Sequence, residues 1–66
     1  MDKETIGNNL RELRGNLPLD TVAKAVGVSK SAWSMYENGH RIPRDTIKIK
    51  IAKFFGKSVS SIFFNP

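Results

Sequence analysis

The sequence contains no cysteine and a single histidine, His40. The first absence excludes a disulfide and a thiolate metal site, and the second leaves no ligand set for a side-chain zinc cage. No apolar run approaches the roughly 20 residues that a membrane helix needs. Met1-Asp2-Lys3-Glu4 leads directly into an amphipathic pattern and not into the apolar stretch of a signal peptide. A cytoplasmic chain without membrane contact is expected. Catalytic patterns are missing too. No nucleophile is paired with His40 as a base, the carboxylates are not clustered, and no glycine-rich loop is suited to cradling phosphate, so neither enzymatic activity nor a cofactor or small-molecule ligand is expected. Acidic residues are scarce, with six against eleven lysines and arginines, giving a net charge of +5. That imbalance favours a polyanionic partner and says nothing about fold.

A chain of 66 residues is expected to form one domain over 1–66, with a thin stability margin because a small chain buries a small share of its surface. Without disulfide or metal, its stability must come from efficient helix packing or from burial against a second subunit. The apolar spacing predicts an all-α bundle of five short helices. The first runs from about Lys3 to Arg14, with Ile6, Leu10 and Leu13 on one face and Asp2 as cap. Gly7 inside it costs about 1 kcal/mol against alanine, which points to a close approach by a neighbour. The second spans about Leu19 to Val26, with Pro18 at its start, Asp20 at the positive end of the helix dipole, and Val22, Ala23 and Val26 as the buried stripe. Gly27 supplies a left-handed stop.

The third helix follows almost at once, from about Lys30 to Asn38, with Ser29 as cap, Ala32, Trp33 and Tyr36 as its apolar side, and Asn38-Gly39 as its stop. Two helices joined by Gly27-Val28-Ser29 alone cannot lie antiparallel and must cross steeply, which is the signature of a helix-turn-helix. In the fourth, Ile47, Ile49 and Ile51 alternate with Lys48 and Lys50 like a strand. A helix capped by Asp45 or Thr46 is nevertheless expected, because Ile47, Ile51, Phe54 and Phe55 share a helical face and Gly56 closes it. The fifth covers Val59 to Phe63, with Ser58 as cap.

The run Val22-Ala23-Lys24-Ala25-Val26-Gly27-Val28-Ser29-Lys30-Ser31, followed by Tyr36-Glu37-Asn38-Gly39 and Arg41-Ile42-Pro43, resembles the Cro and phage-repressor helix-turn-helix family. Leu10-Arg11-Glu12-Leu13-Arg14 and Ile51-Ala52-Lys53 match their places too, so the likeness runs from Ile6 to Phe63 in one register. The resemblance implies a lambda-repressor-like DNA-binding fold, and a salt bridge between Arg14 and Glu37 that ties the first helix to the third. The chain departs from the family in its short link between the first two helices. It also has Pro18-Leu19 where a Ser-Gln pair often begins the second helix, which removes one phosphate contact. Lys48 stands where the family buries leucine, which implies a shifted or rotated fourth helix.

An α-helix fits the major groove, and its outward residues near the N-terminus reach base edges. With Ala32, Trp33 and Tyr36 turned inward, the outward set is Lys30, Ser31, Ser34, Met35 and Asn38. Lys30, Ser31, Ser34 and Met35 are the candidate base contacts: lysine donates to guanine, serine bonds any base, and methionine lies against a thymine methyl. Asn38, with Arg41 and Arg44 in the following loop, is a candidate phosphate contact. Ile62, Phe63 and Phe64 are the candidate dimer surface, since adjacent phenylalanines cannot both face one small core. The function expected is a sequence-specific transcriptional regulator, a repressor binding palindromic operators in double-stranded DNA as a homodimer. An antitoxin or protein-binding adaptor with the same fold is the alternative.

Overall fold

The computed structural model describes residues 2–64. Its order is α1 (Lys3–Arg14), α2 (Leu19–Val26), α3 (Lys30–Glu37), α4 (Asp45–Phe55) and α5 (Val59–Phe63). The capping chemistry sets most of these limits. Asp2 accepts from the Thr5 amide at 2.7 Å, Ser29 from Ala32 at 3.0 Å and Ser58 from Ser61 at 3.1 Å, each meeting an orphan donor of a first turn. Gly27 adopts a left-handed conformation at φ 85°, and the Val28 amide returns to the Ala23 carbonyl at 2.9 Å. The chain therefore leaves α2 through a tight reversal and re-enters helix at Lys30.

One helix limit differs from the sequence reading, whereas α3 stops at Asn38-Gly39 as expected, with Asn38 its C-cap. Neither Asp45 nor Thr46 caps α4: the N-cap is Arg44, which makes no side-chain capping bond, and Asp45 is already helical.

The core is built from Ile6 and Leu10 of α1, Val22, Ala23 and Val26 of α2, Trp33 and Tyr36 of α3, Ile51 and Ala52 of α4, and Ile62 and Phe63 of α5. Trp33 is fully enclosed, with its ring edge-on to Tyr36 at 6.1 Å between centroids. The register of α4 is as expected, with Ile51 at the centre, yet two side chains on it are not where the pattern puts them. Phe54 is 41% exposed, at the margin of the core face and edge-on to Phe55. Lys48 needs no shift or rotation of the helix. Its side chain is only 13% exposed, and its ammonium lies 5.6 Å from the Phe63 ring centre, 5.1 Å from that of Phe64 and 3.7 Å from the Asp45 carboxylate. The lysine stem fills apolar space while its charge rests on ring faces and reaches an acid at the rim.

Gly7 is where α1 and α3 meet most closely. A methyl group there would collide with the Glu37 carbonyl oxygen and come within 2.8 Å of that of Tyr36. Both atoms are backbone and have little room to retreat. Gly7→Ala should therefore destabilise the fold by about 1–3 kcal/mol despite the better helix propensity of alanine, seen as a lower urea midpoint with an unchanged slope.

Candidate nucleic-acid interface

Glu37, at 5% exposure, is the one buried charged residue among those described. Arg14 reaches it from α1 with two parallel bonds, Nε to Oε2 and Nη2 to Oε1, the latter at 3.0 Å, and Trp33 Nε1 also donates to Oε2. Arg11 Nε stands 3.8 Å from Oε1. Burial alone pushes the Glu37 carboxyl pKa up. The bonds from Arg14 and Trp33, with the charges of Arg14 and Arg11, outweigh it and hold the pKa below the usual carboxylate range. The hydrogen bond to Glu37 raises the Arg14 pKa in return. The ion pair implied by resemblance is present, and the tryptophan completes it.

A second network closes the C-terminal end of α3. Arg11 Nη2 donates to the Glu37 carbonyl at 3.2 Å and to Asn38 Oδ1 at 3.0 Å, and Asn38 Nδ2 donates to the Ser34 carbonyl at 2.9 Å and to its hydroxyl at 3.2 Å. Cations at a helix C-terminus complement its dipole. The structure thus brings Ser34 and Asn38 together with each other. The Asn38 amide is spent on Ser34, so a phosphate contact by that amide has to compete with those bonds. Sequence reasoning missed the part of Arg11, whose exposed position gives no sign of the partner.

The N-terminal end of α3 is open. Lys30 and Ser31 are exposed, while Met35 and Ser34 are half-buried on the same helix. Lys30 Nζ lies 3.3 Å from the Asp20 carboxylate of α2. Beside this end, Ser29, Arg41, Arg44 and Thr46 line an open hollow of about 340 Å³, so the exposed loop arginines stand next to the start of α3. Of the C-terminal candidates, Ile62 and Phe63 are buried in the chain's own core, and Phe64 is 59% exposed. Among the described residues no group of acids and histidine is arranged to hold a metal ion, and no helix is long and apolar enough to cross a membrane.

The chain as a whole is similar to known proteins in sequence and fold. A helix-turn-helix family model matches residues 9–62. An HTH-type transcriptional regulator of Methanocaldococcus jannaschii is 38% identical over 58 residues, covering 85% of this chain and 88% of that protein. The restriction-modification controller protein C.AhdI of Aeromonas hydrophila superposes with a TM-score of 0.82 at 27% identity, over 91% of this chain and 94% of that one. The DNA-binding domain of the P22 c2 repressor superposes with a TM-score of 0.83 at 23% identity, over 94% of this chain and 84% of that one, a likeness of fold.

The Glu37 anchor predicts a pH dependence. Its folded pKa is depressed, so its stabilisation is complete above the unfolded value near 4.5 and is lost as pH falls from there through the folded value. Arg14→Met should cost about 3–5 kcal/mol at neutral pH by stranding a buried carboxylate. The difference from wild type should shrink in acid, which chemical unfolding at pH 7 and pH 3 would measure.

Proposed function

The chain belongs to the helix-turn-helix family of transcriptional regulators, and from that membership we propose that it is a repressor that reads palindromic operators as a homodimer, with residues 1–66 forming one DNA-binding domain. The observation that carries this reading is the asymmetry of α3. Its C-terminal end is clamped to α1 through Glu37, and its N-terminal end exposes Lys30 and Ser31, with Arg41 and Arg44 beside the cap Ser29 and Ala32. An α-helix entering the major groove needs such an end, with cations beside it for the phosphates. Lys30, Ser31, Ser34 and Met35 are assigned to base edges, and Asn38, Arg41 and Arg44 to the phosphate backbone. A DNA-reading role agrees with a cytoplasmic protein.

Affinity for duplex DNA should fall steeply with salt. A dimer with about 6–10 phosphate contacts loses on the order of 10³–10⁵ in affinity between 50 and 200 mM salt. Lys30→Ala or Met35→Ala should relax preference at one base position, whereas Arg41→Ala or Arg44→Ala should weaken all sequences alike and lower the salt slope by about one. Fluorescence-anisotropy titrations on a selected and a random duplex separate the two classes. A flat salt response would favour the protein-binding adaptor instead.

The dimer is assigned to the Phe64 end of the chain. Ile62 and Phe63 support it from the core, and Phe64, at 59% exposure, leaves apolar area uncovered. Fully burying one such ring is worth about 1.5–3 kcal/mol, and a two-fold partner covers both copies at once. It also sets the reading helices about 34–36 Å apart, one DNA turn. Sedimentation of the wild type should show self-association that rises with concentration, and Phe64→Ser should remain monomeric. Two monomers at high micromolar concentration would refute this interface.

A further inference from the structure

The Lys30–Asp20 pair joins the first residue of α3 to the first turn of α2 across a shallow cleft lined by Asp20, Ala23, Lys24, Val28 and Lys30. Both side chains are largely exposed, so the pair adds little to stability. Its place is what matters. In a docked helix-turn-helix the first of the two helices crosses the phosphate backbone while the second enters the groove. Here Pro18, at the N-terminal end of α2, has no amide hydrogen, and Asp20 puts an anion in the first turn. That carboxylate opposes the approach of a phosphate.

We infer that Asp20 is a positioning residue for Lys30 and thereby determines specificity at one base pair. This deepens the proposed assignment of Lys30 to a base edge and rests on it. An ammonium has three donors. The Asp20 carboxylate, 3.3 Å from Nζ, draws the ammonium toward the first turn of α2. The donors turned away from that carboxylate are left for the two major-groove acceptors of guanine, O6 and N7. A free lysine on its flexible stem would satisfy the same donors on the nearest phosphate oxygen of any sequence. Asp20 restricts that option twice, by holding the ammonium and by opposing the approach of phosphate to α2. The pair thus trades general affinity for preference.

The test is a selection from a random duplex pool followed by titrations, for the wild type, Asp20→Asn, Lys30→Ala, the double variant, and Glu12→Gln as an equal charge change on α1. Asp20→Asn should relax the same base position as Lys30→Ala and raise affinity for random duplex by about two- to fivefold. In the Lys30→Ala background it should leave the ratio of selected to random affinity unaltered. Glu12→Gln should change no base preference. The inference is overturned if Asp20→Asn preserves the preference at that position, or if it lowers the ratio equally with and without Lys30. A Lys30→Ala variant with every preference intact removes Lys30 as a reader and the inference with it. A wild type without salt-sensitive DNA affinity refutes the DNA-reading proposal beneath both.

Discussion

The buried Glu37 carboxylate is the constraint around which this small protein is arranged. A carboxylate at 5% exposure is tolerable only if its charge is answered, and Arg14 answers it with a two-point bond while Trp33 holds Oε2 from within α3. These bonds have direction. They fix how α3 lies against α1 and leave the Trp33 indole a single orientation. Gly7 permits the same approach by removing the one side chain that would stand between the α1 backbone and the last carbonyls of α3. An apolar cluster of this size could tolerate small slippages of one helix on another, and a bidentate ion pair tolerates far less.

The consequence is a division of labour along eight residues of helix. The C-terminal half of α3 is bound by Arg14, Arg11 and the Asn38–Ser34 bonds, with positive charge facing the negative end of the helix dipole. The N-terminal half carries its cap at Ser29 and exposes Lys30 and Ser31, while Ala32 and Trp33 turn to the core. The proposed reading role asks for a helix that is held at one end and exposed at the other.

Much of this was legible in the residues. The bounds of α1 and α2 follow from Asp2, Gly15, Pro18 and Gly27, and the sharp turn follows from Gly27 and Ser29, because capping and left-handed glycine are local chemistry. Trp33 was readable as core from its spacing with Ala32 and Tyr36. The Arg14–Glu37 pair was visible only through resemblance, since no local rule joins residues so far apart in the chain. What escaped was tertiary in origin. Phe54 and Phe55 are adjacent and apolar, and only the position of neighbouring helices decides that Phe54 lies at the margin. Lys48 reads as a misplaced charge until its stem is treated as apolar and its head as a cation resting on rings. The Lys30–Asp20 pair depends on the crossing of α2 and α3, which periodicity does not supply.

In the proposed function the open end of α3, and not another charged face, meets DNA. Backbone amide shifts followed by NMR during titration with a selected duplex test it most directly. The largest, salt-sensitive changes are expected within 29–35 and 40–46, with the exposed lysines at the far end of α4, Lys53 and beyond to Lys57, little affected. Changes centred on Lys53 and Lys57, with Lys30, Ser31 and the loop arginines unmoved, would contradict it.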